Sequence, residues 1–515
     1  MTVRWIILVC YLLVMVGIGF YCSKKNKNVN DFVLGGRSVG AWFSAFAFGT
    51  SYFSAVVFIG YAGQFGWKYG ISAFWIGIGN AIIGSLMAWL ILGKRTRIMT
   101  KHLDCATMPE FFEKRYQSKP LKIASSLIVF LFLIPYTASV YNGLSRLFES
   151  SLGIPYIYCI IIMAVFTAIY VIAGGFHATA LNDFVQGIIM LVGILAVVFS
   201  VVNYQGGLGS ALEKLGTIAD DAGNTGTLNS LFGPNPADLL GVVVLTSLGT
   251  WGLPQMIQKF YAISDDSAIK RGTVISTIFA LIVSGGCYFL GGFGRLFMSS
   301  EALVNAATGK PEYDKIVPTM LESGALPNIL MGLVVVLVLS ASMSTLSSLV
   351  MTSSSTLTLD LIKPAMKGKM DEKKQMLCIR IFIAIFLLIS VIMAAFKNAY
   401  ITTLMSISWG ALSGSFLAPF MLGLFSKKIT PAGVWSCFGF GVGFTLVHTV
   451  LFQLGWFPEL TKAAASLPIP ITITSPLNAG AFCMLFSLIL CPLVSMLTRV
   501  KDEKQVEDVF ACYSK

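Results

Sequence analysis

The sequence predicts an all-α integral membrane protein with thirteen transmembrane helices, and three observations lead there. The 515 residues are 56% hydrophobic and only 12% charged, with a mean hydropathy of +0.79. A soluble chain of this length carries about twice that charge. Apolar runs of about 20 residues recur throughout, each enough to cross ~30 Å of hydrocarbon. The basic residues also segregate. With the N-terminus outside and the spans alternating, about three quarters of the 36 Lys and Arg fall on the cytoplasmic side. The net charge of +12 is therefore the topology signal of a multi-pass plasma-membrane chain and calls for no nucleic acid.

The first span, 4–22, has one basic residue before it, an apolar stretch too long for a signal peptide and no small-residue cleavage site after it. It reads as a retained helix. Lys24, Lys25, Lys27 and Arg37 place the next loop inside. The second span, 41–65, is interrupted at mid-membrane depth by Gly49-Thr50-Ser51-Tyr52-Phe53-Ser54. The third, 71–93, ends in Lys94, Arg95, Arg97 and Lys101, and the loop beyond carries Lys114, Arg115, Lys119 and Lys122. Spans 122–147 and 154–173 follow. A polar run from Gly174 to Gly187 leads into the sixth, 180–203, and sets Asp183 about one turn inside the boundary. A carboxylate there is a functional group, an interfacial cap, or the partner of a loop lysine.

The seventh span, 237–260, is interrupted by Ser247-Leu248-Gly249-Thr250-Trp251-Gly252-Leu253-Pro254. Two glycines and a proline so close together weaken a helix, and the freed backbone groups must face protein, water or a ligand. After Lys259, Lys270 and Arg271 comes the eighth span, 272–296, and then the ninth, 327–360. Lys363, Lys367, Lys369, Lys373, Lys374 and Arg380 mark the next inside segment. Spans 377–396, 400–425, 432–453 and 478–498 complete the set, and an odd count leaves the basic tail 499–515 inside. The two interrupted spans lie five apart. That spacing fits inverted repeats over 41–203 and 237–425, with 4–22 and 432–498 as additional helices.

The ninth span carries the chemistry. It holds Ala341-Ser342-Met343-Ser344-Thr345-Leu346-Ser347-Ser348 where Leu and Ile would be ordinary. Ser344, Ser347 and Ser348 share a helix face, and Ala341 offers a carbonyl one turn earlier. Such a ladder of neutral oxygens suits a hard, weakly charged cation such as Na⁺. Close packing of two helices through small residues is the competing explanation. Elsewhere no nucleophile–base pair, phosphate loop or Cys-x-x-Cys stands out, and His102, His177 and His448 lie far apart. An enzyme is not indicated; the ten scattered cysteines read as free thiols.

Several motifs resemble the sodium:solute symporter family, whose members include the sodium/proline, sodium/pantothenate, sodium/sialic acid and sodium/glucose transporters. They are Phe32-x-Leu34-Gly35-Gly36-Arg37, Met108-Pro109-Glu110-Phe111-Phe112-Glu113-Lys114-Arg115-Tyr116, Gly174-Gly175 through Leu181-Asn182-Asp183-x-x-Gln186, and Met343-Ser344-Thr345-Leu346-Ser347. The resemblance covers nearly the whole chain. It implies a LeuT-type core of five plus five inverted spans, with one extra N-terminal and two extra C-terminal helices. It also implies a sodium site of the Thr50, Phe53 and Ala341 carbonyls with the Ser344 and Thr345 hydroxyls. A second sodium on Asp183, Ser344, Ser347 and Ser348 is implied by some members. Proline-type members carry an aspartate where Tyr52 stands, a departure that sets this chain apart.

The solute is expected at the midplane, among the broken helices and spans 4, 9 and 11. Candidate contacts are Tyr52 and Ser54; Tyr136, Thr137, Ser139, Tyr141 and Asn142; Thr246, Thr250, Trp251 and Gln255; and Ser408 and Trp409. Arg146, near the outer end of span 4, would attract an anion or snorkel. The set suits a small polar or zwitterionic solute such as an amino acid or small carboxylate, carried inward with Na⁺ by alternating access, with a monomer as the working unit. Proton coupling through Asp183, a sugar-type substrate, and a non-transporting sensor are the alternatives; the tail after Lys501 is too short for a signalling domain.

Overall fold

The computed structural model describes residues 2–24, 27–305, 309, 311–366, 370–396, 401–467, 469–499 and 502–514. Lys25, Lys367, Lys369, Lys501, Lys515 and the side chain of Arg146 lie outside the described residues. Among those described, 10 helices are long and apolar enough to cross a membrane, or up to 11 when Pro236–Trp251 and Pro254–Tyr261, bent by 42°, count as one span.

Two of these stretches are far longer than the ~20 residues one crossing takes, and both fold back. Val56–His102 has 47 residues. Along the helix Asp266–Gly291 the chain meets Phe279 at Gly49, just before this stretch, and Gly291 at Gly66, then returns to meet Gly285 at Gly77 and Ile269 at Gly93. The chain therefore runs one way before Gly70 and the opposite way after it. Gly70 has φ 59 and ψ −139, a backbone open to glycine. Tyr156–Tyr204 has 49 residues and reverses at Gly175 (φ 52, ψ −148), between the predicted spans 154–173 and 180–203. Its two ends lie together. Arg4 donates both to the Ser151 carbonyl (3.0 Å) and to Asn328 (3.3 Å), while Ser200 and Tyr204 donate to the carbonyls of Ala325 (3.1 Å) and Ser323 (3.2 Å). The turning point packs on Phe32 instead.

The serine-rich helix Asn328–Thr356 is the axis of the molecule. From Val334 to Thr356 every residue is buried. It packs against both arms of Tyr156–Tyr204, the N-terminal helix Thr2–Ser23, Ala41–Tyr52 and Lys119–Leu152. Most of its hydroxyls are answered, those of Ser342, Ser344, Thr345, Ser347 and Ser355 by carbonyls and that of Ser348 by Ser51, while those of Ser340, Ser353 and Ser354 are buried without a partner of ordinary geometry.

The end of the bundle that holds the loop after His102 is tied by charge. Lys122 Nζ lies 2.8 Å from Glu113 and 3.6 Å from the fully buried Asp360, and Thr107 donates to Asp360 at 2.7 Å. The tail helix Glu503–Phe510 docks there too. Gln505 donates to the Lys114 carbonyl (2.8 Å), and Phe510 lies under the Arg115 guanidinium.

Candidate functional site

Both interruptions predicted in spans 2 and 7 are real breaks, and side chains bridge them. Ala41–Tyr52 ends at Phe53, whose φ −102 and ψ 98 are extended. Pro236–Leu248 continues as a single tight turn, Gly249–Trp251, and the helix restarts at Pro254. Proline at a first helical position costs no hydrogen bond, which is why the restart falls there. The Tyr52 hydroxyl donates to the Thr246 carbonyl and joins the two breaks. Ser413 donates at 2.6 Å to the Gly249 carbonyl, which also accepts from Gly252 N at 3.1 Å across the tight turn. Thr250 donates to the Gly84 carbonyl (3.1 Å). A Cβ on Gly252 would sit 2.8 Å from Leu417 N and from Ser413 Cα, so only glycine fits.

The expected sodium ligands converge at the first break. Ser344 Oγ lies 3.0 Å from the Thr50 carbonyl and 3.1 Å from the Ala341 carbonyl. Thr345 Oγ1 lies 3.3 Å from the Thr50 carbonyl and 3.1 Å from that of Ala341. The Ser51 carbonyl, which the sequence reading did not single out, is 3.4 Å from Thr345. Phe53 adjoins the cluster through a small cavity that it lines together with Ser54 and Ala341. All of these residues are buried. The cluster has two carbonyl-bearing elements, two hydroxyls and no formal charge. Its donor set fits a dehydrated Na⁺, and hydroxyl rotation would turn the protons away from the carbonyls and the oxygen lone pairs toward the ion.

The second set assembles differently. Asp183 is fully buried, and its Oδ2 lies 3.6 Å from the ammonium of Lys259, itself only 5% exposed. Lys259 read as a cytoplasmic-loop residue in the sequence. The helix that restarts at Pro254 carries it inward instead, under the Phe176 ring at 5.3 Å. Ser347 donates to the Ser344 carbonyl (2.8 Å), and Ser348 shares a hydrogen bond with Ser51 (2.7 Å). Thr50 neighbours Asp183 and thereby links the two sets.

Of the solute candidates, Tyr52, Tyr136 and Trp409 meet. Tyr52 stacks on Trp409 with centroids 6.1 Å apart, and Tyr136 meets Trp409 edge-on at 5.9 Å. Tyr61 and Tyr288, absent from the sequence reading, surround Tyr52 along with Tyr136. The hydroxyls of Tyr61, Tyr136, Tyr141 and Tyr288, Trp409 Nε1 and both amide atoms of Gln255 are buried without a hydrogen-bond partner of ordinary geometry. Other candidates are committed to the fold. Tyr156 donates to Asn142, Trp251 Nε1 donates to the Ile83 carbonyl (3.0 Å), and Thr246 and Ser139 donate to the carbonyls of Val242 (2.9 Å) and Tyr136 (2.6 Å). Thr137 donates to the Leu133 carbonyl (2.9 Å) and Ser408 to that of Phe132 (2.6 Å). Ser54 Oγ accepts from Val56 N (3.2 Å), capping the chain after the break.

Residues 32–441 match the model of the sodium:solute symporter family. The osmoregulated proline transporter of Bacillus subtilis is 28% identical over 440 residues, covering 85% of this chain and 87% of its own. The sodium/pantothenate symporter of Escherichia coli is 29% identical over 469 residues, covering 89% and 94%. A structure of a Na⁺-coupled sialic acid symporter in a substrate-bound outward-open state superposes with a TM-score of 0.73 at 16% identity, covering 96% of this chain and 98% of that one. Mhp1, a nucleobase-cation-symport-1 transporter, superposes at 0.51 with 13% identity, covering 92% and 97%. These likenesses place the fold among LeuT-type transporters.

Proposed function

Taking as premise that the chain belongs to the sodium:solute symporter family, we propose that its solute is a small organic carboxylate, imported with Na⁺ bound at Thr50, Ser51, Ala341, Ser344 and Thr345. It is a sodium-coupled membrane transporter and no enzyme. The observation that carries the solute class is the aromatic cage around Tyr52, in which the hydroxyls of Tyr61, Tyr136 and Tyr288 and Trp409 Nε1 are buried without a partner of ordinary geometry. Buried donors without partners cost about 1–3 kcal/mol each, and a carboxylate offers several acceptor sites at once. The buried cations are engaged elsewhere: Arg115 with backbone carbonyls, Lys122 with Glu113, Lys259 with Asp183 and Arg295 with Asp221. The solute's negative charge is therefore met by neutral donors. Both proline and pantothenate, named for relatives, carry a carboxylate. Tyr52 supplies no anion for a solute amine, which favours a carboxylate without an amine over an amino acid.

Coupling follows from geometry. Sodium would bridge the first broken helix to the serine-rich helix, and so favour the conformation in which these two elements and the solute cage are assembled. One charge moving through ~100 mV supplies about 2.3 kcal/mol, and a tenfold sodium gradient adds about 1.4 kcal/mol. Together they support roughly 500-fold accumulation of a neutral solute; a monocarboxylate carried with one Na⁺ moves no net charge, so for it the sodium gradient alone acts and supports about tenfold. The chain would cross the membrane thirteen times, since the stretches that reverse at Gly70 and Gly175 each make two crossings. The N-terminus lies outside, the C-terminus inside, and the two repeats cover 41–203 and 237–425. The test is a thermal-shift screen of purified protein against small carboxylates, amino acids and sugars, in Na⁺ and in choline. A carboxylate that raises the melting temperature only in Na⁺ supports the assignment, and a response confined to sugars refutes it.

A further inference from the structure

We infer that Lys259 serves as a built-in counter-cation for Asp183, taking the place of a second sodium, so that this transporter binds one Na⁺ per cycle. The inference rests on the sodium site proposed above and concerns the neighbouring carboxylate. Asp183 is 0% exposed and its pairing with Lys259 spans 3.6 Å. No described residue donates to either carboxylate oxygen in ordinary hydrogen-bond geometry. An isolated buried carboxylate is prohibitively costly, so the ammonium is what makes this one tolerable.

The lysine is also held in place. It comes from the half-helix Pro254–Tyr261, and its Nζ sits over the Phe176 ring at 5.3 Å, an arrangement that favours a cation there. Ser347 answers the Ser344 carbonyl and Ser348 answers Ser51, much as the hydroxyls of the first cluster answer their own carbonyls, so charge rather than hydroxyl orientation separates the two places. A sodium ion approaching Asp183 would meet a fixed positive charge at close range, in surroundings where charges are weakly screened. The first cluster has no such charge. One site therefore admits the ion and its neighbour excludes it.

The probe is sodium alone, so no knowledge of the solute is needed. Equilibrium binding of ²²Na⁺ to the purified full-length protein, at fixed pH and with choline as the balancing cation, is expected to give one ion per wild-type chain. Lys259→Met exposes the carboxylate to sodium and should raise the count to two; Lys259→Met with Asp183→Asn should return it to one, and Lys259→Arg should leave it at one. The Lys259→Met protein should also melt at a lower temperature in choline and be rescued by Na⁺. Two ions per wild-type chain overturn the inference, as does a folded Lys259→Met protein that still binds one. Should Lys259→Met fail to fold, Ser347→Ala with Ser348→Ala decides: unchanged sodium binding supports the inference and a lost ion overturns it. A wild type that binds none refutes the first sodium site. In that case one ion in Lys259→Met still supports the role of Lys259, and none overturns both.

Discussion

Two polar regions meet at Thr50 and are built from opposite materials. On one side the Thr50, Ser51 and Ala341 carbonyls and the Ser344 and Thr345 hydroxyls carry no formal charge. On the other, Asp183 and Lys259 carry full and opposite charges and are equally buried. The neutral cluster satisfies itself by hydrogen bonds among its own members, so it tolerates the absence of an ion and can release one. The charged pair satisfies itself only as a pair. Burial is the same in both, so it is the presence of a protein-borne positive charge that separates a place for sodium from a place closed to it.

The comparison can be broken from either side. The largest effect is expected from Asp183→Asn, which strands a buried ammonium. Losing one member of such a pair costs about 3–5 kcal/mol, to be read as a fall in melting temperature, and Asp183→Asn with Lys259→Met should recover most of it. Next comes Ser344→Ala with Thr345→Ala. Removing two ligands, at about 1 kcal/mol or more each, should weaken sodium binding by roughly 30-fold or more, while melting in choline changes little. Trp409→Phe keeps the ring and removes the Nε1 donor. It should raise the solute's half-saturation concentration by about tenfold at saturating Na⁺ and leave sodium binding untouched. The smallest effect belongs to Ser347→Ala. Its hydroxyl only answers the Ser344 carbonyl, and sodium affinity should stay within about twofold of wild type.

The neutral side was legible in the sequence and the charged side only in part. Ser344 and Thr345 stood out because hydroxyls are conspicuous in an apolar run, and a carbonyl ligand needs no particular side chain. Asp183 stood out for the same reason. Lys259 did not, because it falls at the end of span 237–260 and reads as the first residue of a basic loop. Only the restart at Pro254 shows that the short helix points it into the protein. Tyr61 and Tyr288 were lost among 17 tyrosines, since a tyrosine in an apolar run reads equally as packing. Conversely, Asn142 and Trp251 look like solute contacts in sequence, yet they hold Tyr156 and the Ile83 carbonyl. Polarity is visible along a chain, but which polar groups are already answered depends on partners more than 100 residues away, as for Trp251 and Ile83. The broken helices were legible because glycine and proline mark them locally.

The most direct test is uptake into proteoliposomes of reconstituted wild-type protein, using radiolabelled small carboxylates with pantothenate and proline among them. An inward Na⁺ gradient is compared with an equal choline gradient at constant pH and clamped membrane potential. Accumulation of at least one carboxylate above its equilibrium level, in Na⁺ alone and abolished by Ser344→Ala with Thr345→Ala, is the predicted result. Equal accumulation in choline, or accumulation that survives loss of both hydroxyls, would contradict a sodium ion held by neutral oxygens as the driver.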